Sequence, residues 1–279
     1  MEKTAINALT APTQYIIVNG INFAYRRFGK ATAIPVVGFQ HFTGTLDNWD
    51  PIIIDGLAAE REVIIFDNVG VGNSSGETPD TVAVMTEDAV AFIQALGLTK
   101  IDVLGFSLGG FIAQQLAEKH AELINKIIIV GAAPQGTKVL AGFPQLISGA
   151  MQKEPMERFL YIFFTTTAES RTKGEATLQR LNSRTVDRDN STNQQAVMAQ
   201  INAITRWGTD APNIELKNIQ HQVLIIQGSN DEMMDSASSY TLFKQLPHAF
   251  LNYYPDAAHG SFYKYPALFV NQANQFLNG

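Results

Sequence analysis

Ser107 is the residue whose surroundings in the sequence point most clearly to chemistry. It lies in the stretch GFSLG (105–109), a G-x-S-x-G pattern between an apolar run and a predicted helix. A strand, a sharp turn and a helix in that order would leave the serine hydroxyl strained and exposed. A serine hydroxyl is a weak nucleophile, so it needs a neighbouring base, and the base needs an acid that orients it.

Both glycines of this pattern have a steric reason to be there. Gly105 and Gly109 each lie two residues from Ser107, where a Cβ atom would collide across the turn. The free N–H groups and the positive dipole at the start of the following helix would stabilise a negative oxygen beside the serine. The pattern therefore predicts a nucleophile together with part of an anion-binding site.

Candidates for the base and the acid lie downstream of the serine. The histidines that follow it are His120, His221, His248 and His259. The carboxylates that follow a predicted strand, or stand close to one of these histidines, are Asp231, Glu232, Asp235 and Asp256. His120 ends a predicted helix, where a cation complements the helix dipole, and His221 and His248 precede predicted strands. Residue order alone leaves the choice of acid open.

The elements that would position these residues alternate along the chain. Asn19-Gly20 separates two β-rich stretches and predicts an antiparallel hairpin, because both positions of a two-residue hairpin turn need positive φ. Helical patterns begin at Asp50-Pro51 and span 78–97. Short apolar runs indicate strands buried on both faces, at 33–39, 62–67, 101–106, 126–132 and 222–228. This order predicts an α/β fold with a mostly parallel twisted sheet of about eight strands and helices on both faces.

One segment interrupts the alternation. Between 134 and 213 no strand-like run occurs, and helical patterns follow one another. We interpret this segment as a helical cap (lid) inserted into a core formed by 1–133 and 214–279. It contains the run FLYIFF (159–164), which would either line an apolar acyl pocket or pack the cap on the core.

Composition limits the classes of function. The chain has 279 residues, a net charge of −6 and no dense Lys/Arg run, so we expect no nucleic-acid partner. It contains no cysteine, which excludes disulfides and thiol nucleophiles. No apolar stretch reaches the roughly 20 residues that span a bilayer, and the N-terminal stretch has no apolar signal core. We expect a cytoplasmic protein without membrane contact, and homo-oligomer formation stays open.

Glycines near residue 70 do not favour a nucleotide. Gly70-x-Gly72 follows a predicted strand, but the next glycine, Gly76, comes one place too late for a dinucleotide-binding turn. His and carboxylate residues lack metal-ligand spacing, and no P-loop occurs. We therefore expect no cofactor and no metal, and a small-molecule substrate.

Four stretches resemble the α/β-hydrolase fold family, which includes esterases, carbon–carbon hydrolases and cofactor-free haloperoxidases. They are GFSLGG (105–110), FDNVGVGNSSG (66–76), GSNDEMM (228–234) and DAAHGSF (256–262). The resemblance covers nearly the whole chain and implies a triad in the order Ser, Asp or Glu, His. It makes Asp231, three residues after Gly228, the acid, and it makes His259, which precedes the final helix, the base. Asp235 would then cap a helix, and Asp256 would be a turn residue.

The resemblance also implies a second oxyanion-hole donor in the loop after an early strand, which in the family often reads His-Gly-x-Pro-Gly. Matching Gly44 to the last glycine puts Gln40 at the usual His and His41 at the usual Gly. Phe42 then stands at x and would donate its backbone N–H, together with that of Leu108. Because the usual Gly permits backbone angles that His resists, we expect this loop to differ at His41. We interpret His41 as a wall residue rather than the base.

The sequence thus predicts a serine hydrolase that acts on a small or medium ester or related carbonyl compound through an acyl-enzyme. His41, Phe106 and Met233 are the candidates for its substrate pocket. Two alternatives stay open. The same triad could serve a cofactor-free haloperoxidase (perhydrolase) or a carbon–carbon bond hydrolase, or the fold could carry a non-catalytic ligand-binding protein.

Overall fold

A computed structural model describes residues 6–279 and contains an eight-stranded sheet. The strands are β1 (Gln14–Val18), β2 (Ile21–Gly29), β3 (Val36–Phe39), β4 (Glu62–Phe66), β5 (Ile101–Phe106), β6 (Ile124–Val130), β7 (Gln222–Gly228) and β8 (Ala249–Tyr254). Their order across the sheet is β1-β2-β4-β3-β5-β6-β7-β8. Pairs β1–β2 and β2–β4 are antiparallel and the other pairs are parallel, which confirms the predicted fold class. Residues 1–5, the start of the stretch from which we predicted no signal peptide, lie outside the described residues.

The sheet begins with the predicted hairpin. Asn19 and Gly20 have φ of 52° and 82°, as a two-residue turn with two positive φ angles requires. The turn brings Val18 opposite Ile21 in the antiparallel register. Local turn chemistry therefore sets the register of the first two strands.

Ten α-helices lie between or after the strands in residues 6–279. They are α1 (Pro51–Ala58), α2 (Val82–Ala95), α3 (Leu108–Lys119), α4 (Phe143–Met151), α5 (Pro155–Phe163), α6 (Ala168–Leu181), α7 (Gln194–Thr209), α8 (Ser236–Gln245), α9 (Ser261–Lys264) and α10 (Pro266–Asn278). The Asp50 carboxylate caps α1 by accepting the Ile52 amide at 3.0 Å. Thr81 caps α2 through the Val84 amide at 3.3 Å, so the helix predicted over 78–97 begins four residues later.

The central strands are buried on both faces. In β5, Ile101 and Val103 face one hydrophobic core, which also contains the buried faces of α2 and α3. Leu104 and Phe106 face a second core, which contains α1 and α10. This two-sided burial explains the continuous apolar runs from which the strands were predicted.

Local backbone chemistry explains two of the differences between predicted and observed strand boundaries. The strand predicted over 33–39 begins at Val36, directly after Pro35, which has no N–H for the sheet. The strand predicted over 126–132 ends at Val130, because Gly131 leaves the sheet with φ of 56°.

Between β6 and β7 the chain forms helices α4–α7 and, within 134–213, no strand. Side-chain bonds tie these helices to the rest of the chain. Arg180 on α6 pairs with the buried Asp50 carboxylate at 2.6 Å, and Thr165 donates to Asp256 at 2.6 Å. Side-chain bonds therefore attach the segment 134–213 to the core of the protein at more than one place.

The parallel strands bring the predicted site residues to one edge of the sheet. Ser107 directly follows β5, Asp231 follows β7 and His259 follows β8. The loop 40–44 follows β3, the neighbour of β5. The carboxyl ends of parallel strands share an edge, which is where α/β proteins bind ligands.

Candidate active site

Ser107 occupies the sharp turn that its two glycines predict. Its backbone has φ 56° and ψ −115°, a left-handed conformation unusual for a residue with a Cβ. A Cβ on Gly109 would lie 2.0 Å from the Phe39 carbonyl oxygen, and one on Gly105 would lie 2.5 Å from the Gly109 oxygen. Glycine at both positions lets the chain fold back tightly, so the serine is held at the start of α3.

The structure brings His259 and Asp231 together. His259 Nδ1 lies 2.8 Å from Asp231 Oδ2, and both side chains are almost fully buried. The other carboxylate oxygen accepts the amides of Met233 and Met234, each at 2.9 Å, and Gln227 Nε2 donates to Oδ2 at 3.1 Å. These bonds fix the carboxylate so that it orients the imidazole ring.

The second imidazole nitrogen of His259 is the one available for chemistry. A carboxylate only accepts hydrogen bonds, so Nδ1 carries the proton and Nε2 keeps a free lone pair. This Nε2 is buried and has no hydrogen-bond partner among residues 6–279. The Ser107 hydroxyl therefore does not donate to Nε2 here, and catalytic hydrogen bonds of this kind often tighten only when substrate binds.

Ser107 and His259 both line a cavity of about 460 Å³. Most of its apolar lining residues belong to the segment 134–213, among them Ile147, Ala150, Met151, Phe159, Ile162 and Phe163. Met233, two residues after Asp231, also lines it. A cavity of this size suits a small or medium organic molecule.

The loop 40–44 supplies the predicted second amide. The Phe42 N–H donates no hydrogen bond within the described part of the chain. The Leu108 N–H, at the first position of α3, has no carbonyl one turn earlier in that helix. Both predicted amides are therefore available to an external acceptor.

His41 lines the same cavity and is held as a neutral ring. Its Nδ1 donates to the Phe42 carbonyl at 2.7 Å, which leaves Nε2 as an acceptor. Its ring contacts Phe106 and Phe163 edge-on, with centroids 5.1 and 5.3 Å away. Burial lowers the pKa of His41 to about 4, with a smaller contribution from the neighbouring His259. This placement agrees with a wall residue.

The backbone of this loop has its positive φ one residue after Phe42 and not at His41. Within the described residues the positive φ in the loop is at Thr43, with φ of 60°, and His41 lies outside that region. Gln40 supports the loop through its Oε1, which accepts the His41 amide at 2.9 Å. A Cβ on Gly44 would lie 2.2 Å from Gln40 Cγ, so the buried glutamine side chain fills the space that this glycine leaves.

The predicted pocket role of Phe106 is wrong in its geometry. Its side chain points into the second core, is fully buried and does not line the cavity. It packs behind the two imidazoles, with centroids 5.1 Å from both His41 and His259. Phe106 therefore supports the rings from behind.

The remaining histidines lie outside this site. His120 Nε2 is 2.9 Å from Glu87 Oε1, and His221 Nε2 is 3.0 Å from the Ala121 carbonyl. His248 is exposed beside β8. None of them lines the cavity that contains Ser107.

The other candidate acids also have separate contacts. Asp235 caps α8 by accepting the Ala237 amide at 3.1 Å. Asp256, with φ of 47°, accepts hydrogen bonds from Thr165 and from the buried Lys264 amine. These bonds lower the pKa of Asp256 to about 2, with the Lys264 bond contributing most. Asp256 thus joins the segment 134–213 to the core.

The cavity also has polar lining residues that the sequence analysis missed. They include Thr45, Asp47, Asn48, Arg188, Asp189 and Asn190. The Asp47 carboxylate pairs with buried Arg26 at 2.8 Å and accepts the Asp189 amide at 2.9 Å. Burial, with the charge of Asp47, raises the pKa of Asp189 to about 6. In the sequence, the hydrophilic run DRDN (187–190) between two predicted helices is the feature that could have indicated these polar lining residues.

No group of three or more His, Asp or Glu side chains within 6–279 is placed to hold a metal ion. No helix in that part of the chain is long and apolar enough to cross a membrane.

The fold agrees with the comparisons to known proteins. A model of the alpha/beta hydrolase fold family matches residues 35–266, and the chain belongs to this family. A solved structure, an alpha/beta hydrolase fold protein from Chitinophaga pinensis, is 61% identical with a TM-score of 0.97. The match covers 98% of this chain and 100% of that one. The predicted family is therefore confirmed.

Two curated relatives carry names of activities. The 2-hydroxymuconate semialdehyde hydrolase of Pseudomonas sp. strain CF600 is 26% identical over 82% of this chain and 81% of that protein. The pimeloyl-(acyl-carrier protein) methyl ester esterase of Aeromonas hydrophila subsp. hydrophila is 30% identical over 51% of this chain. The chain spans 58% of that esterase's length. Family and names together support an enzyme of the α/β-hydrolase type.

Proposed function

We propose that this protein is a serine hydrolase that acts on a small or medium ester, or a related carbonyl compound, through a triad of Ser107, His259 and Asp231. One observation carries the proposal. A serine at a left-handed turn and a histidine fixed by a buried carboxylate open into the same cavity. Nucleophile, base and orienting acid are the three parts that acyl transfer needs.

The mechanism follows from the roles of these groups. Ser107 Oγ attacks the substrate carbonyl carbon while His259 Nε2 takes the hydroxyl proton. Asp231 stays ionised and stabilises the imidazolium through Nδ1–H. The carbonyl oxygen becomes an oxyanion, which accepts the N–H groups of Phe42 and Leu108.

The second half returns the enzyme to its starting state. His259 gives its proton to the leaving alcohol as the carbon–oxygen bond breaks, which leaves Ser107 acylated. A water molecule then attacks the acyl carbon and passes a proton to His259. Collapse of the second tetrahedral intermediate releases the carboxylic acid, and His259 returns the proton to Ser107.

We propose that the segment 134–213 is a cap over this site. Its helices contribute Phe159, Ile162 and Phe163 to the cavity wall, which suits an apolar acyl group. The polar residues of the same cavity, Asp189 among them, suit a hydrogen-bonding group elsewhere on the substrate. With a net charge of −6, the chain is better suited to such small molecules than to nucleic acid.

Related carbonyl chemistry is the second candidate, and the relative named for 2-hydroxymuconate semialdehyde favours testing it. A screen of the purified protein against p-nitrophenyl esters, vinylogous diketones and peracid formation compares the ester hydrolase with a carbon–carbon hydrolase and a perhydrolase. We expect the highest kcat/KM with esters. A higher value with diketones or in peracid formation would reassign the reaction. Binding of these compounds without turnover would favour a ligand-binding protein.

Variants of the triad test the mechanism itself. Ser107→Ala should lower kcat for p-nitrophenyl esters by about 10⁴-fold or more while the protein stays folded by circular dichroism. His259→Ala should lower kcat similarly, and the exposed His248→Ala serves as the matched control with kcat retained. Unchanged turnover by Ser107→Ala would contradict the nucleophile assignment.

A further inference from the structure

The loop 40–44 keeps a backbone conformation that its own sequence disfavours. Thr43 is β-branched, yet its φ is 60°. A β-branched residue in this region is an outlier, so contacts from elsewhere must hold it there. The neighbouring Phe42 amide is the one proposed to bind the oxyanion.

Both polar groups of the Phe42–Thr43 peptide, its N–H and its carbonyl, are hydrogen-bonded. The Thr43 N–H donates to Gln200 Oε1 at 2.6 Å, and the Phe42 carbonyl accepts His41 Nδ1 at 2.7 Å. The next carbonyl, that of Thr43, accepts Thr192 Oγ1 at 2.8 Å. Two of these three bonds come from side chains about 150 residues later in the chain.

Gln200 lies on α7 and is completely buried. Its Oε1 must face Thr43, because only the oxygen can accept an N–H. Its Nε2 is buried and lacks a hydrogen-bond partner among residues 6–279. A buried amide with half of its polar atoms unpaired disfavours folding, so stability alone does not account for a glutamine here.

We propose that Gln200 is a positioning residue that holds the oxyanion loop in its strained conformation, so that α7 sets the place of the Phe42 amide. The inference rests on the proposed function, since it concerns the oxyanion hole of that reaction. The Phe42 ring also packs edge-on against Phe143 of α4, with centroids 5.3 Å apart. The proposed cap thus contacts this loop at Phe143, Thr192 and Gln200.

The structure provides a control at an exposed position of the same helix. Gln195 also lies on α7 and accepts the Thr78 amide through its Oε1, at 3.0 Å. Thr78 is not a lining residue of the cavity that contains Ser107. Gln195→Met removes this bond, and also the bond from Gln195 Nε2 to the Thr78 carbonyl at 2.9 Å, without touching the oxyanion loop.

The experiment measures kcat, KM and the exchange rate of the Thr43 amide by NMR in four proteins: wild type, Gln200→Met, Gln200→Glu and Gln195→Met. Gln200→Met should lower kcat about 10-fold to 100-fold, because a displaced donor stabilises the oxyanion less well. KM should change less than about threefold. Gln200→Glu keeps an accepting oxygen, and complete burial favours its neutral carboxyl, so kcat measured below the pKa of that carboxyl should return to within about threefold of wild type. Gln195→Met should keep the wild-type kcat.

Amide exchange gives a readout that does not need turnover. The Thr43 amide should exchange at least about 10-fold faster in Gln200→Met than in wild type, because its acceptor is gone. If Gln200→Met fails to fold, Thr192→Val removes the bond to the Thr43 carbonyl and should lower kcat in the same direction.

Each outcome decides between the proposals. Wild-type kcat in Gln200→Met, with activity lost in Ser107→Ala, would overturn the role of Gln200 and leave the proposed function intact. An equal loss in Gln195→Met, or no recovery in Gln200→Glu, would also overturn it, since helix damage would then be the cause. Should wild type turn over no ester, faster Thr43 exchange in Gln200→Met would support the positioning role, and unchanged exchange would refute it.

Discussion

Replacing His41 with glutamine should remove part of the acid sensitivity of the fold. The ring is fully buried between aromatic side chains, and its pKa is lowered from 6.5 to about 4, first by burial and then by the neighbouring His259. As pH falls below 6.5, the unfolded chain binds a proton at this residue before the folded chain does. His41 therefore contributes stability that is complete above pH 6.5 and is lost as pH falls towards 4.

The size of this effect follows from the two pKa values. At about 1.4 kcal/mol per pKa unit, the gap between 6.5 and about 4 corresponds to about 3 kcal/mol, of which about 2.5 kcal/mol is lost by pH 4.5. Asp189, whose pKa is raised to about 6, has the opposite effect on stability. The folded chain binds its proton before the unfolded chain does, so it gains stability as pH falls. It does so in both proteins, so the difference between wild type and variant isolates His41.

Urea denaturation of wild type and His41→Gln, followed by tryptophan fluorescence from pH 7.5 to 4.5, measures this difference. The free energy of unfolding of wild type should fall by about 2.5 kcal/mol more than that of the variant. His248→Gln, at an exposed position, should run parallel to wild type. Parallel curves for wild type and His41→Gln would refute the picture of a neutral, buried ring.

Two further predictions concern the acid and the turn. Asp231→Asn should lower kcat by about 10³-fold to 10⁴-fold in the ester assay, because an amide no longer holds the imidazole in the active tautomer. Asp235, whose side chain caps the N-terminus of α8, provides the control, and Asp235→Asn should keep the wild-type kcat. Equal losses of kcat in the two variants would reject Asp231 as the acid. Gly109→Ala should unfold the protein or lower its melting temperature strongly, because the new Cβ would meet the Phe39 carbonyl at 2.0 Å. Gly149→Ala on α4, with open space around it, should be neutral or stabilising, and equal melting temperatures would contradict the steric argument.

The parts of the fold that could be predicted have local signals. The strands next to Ser107 are buried on both faces, which forces continuous apolar runs. The turn at Ser107 needs glycines at fixed offsets, because their missing Cβ atoms let Gly109 and Phe39 touch. Asn19-Gly20 predicted the hairpin for a similar local reason, because a two-residue hairpin turn needs positive φ at both positions and both residues adopt it.

Features that depend on distant contacts could not be predicted. The conformation of Thr43 is held by Gln200, 157 positions later, so nothing in the local sequence indicated Thr43 as the residue with positive φ. The polar side of the cavity forms because Asp189 meets Asp47, 142 positions earlier. Neither pair has a spacing that carries chemical meaning by itself.

Phe106 illustrates a third kind of limit. Its position beside Ser107 in the sequence suggested a pocket residue, but alternation along β5 turns its side chain into the core that contains α1 and α10. Strand periodicity predicts that neighbouring residues face opposite ways, yet it does not say on which face the cavity lies. Only the packing of the helices decides that.

Covalent labelling by a fluorophosphonate tests the central claim most directly. The reagent should phosphonylate Ser107 Oγ with loss of fluoride, and intact-mass analysis should find one adduct, located on the peptide that contains Ser107. Labelling should disappear in Ser107→Ala and slow strongly in His259→Ala, with both variants folded. A folded wild-type protein that takes up no label, or takes it up at a residue other than Ser107, would contradict the proposed catalytic site.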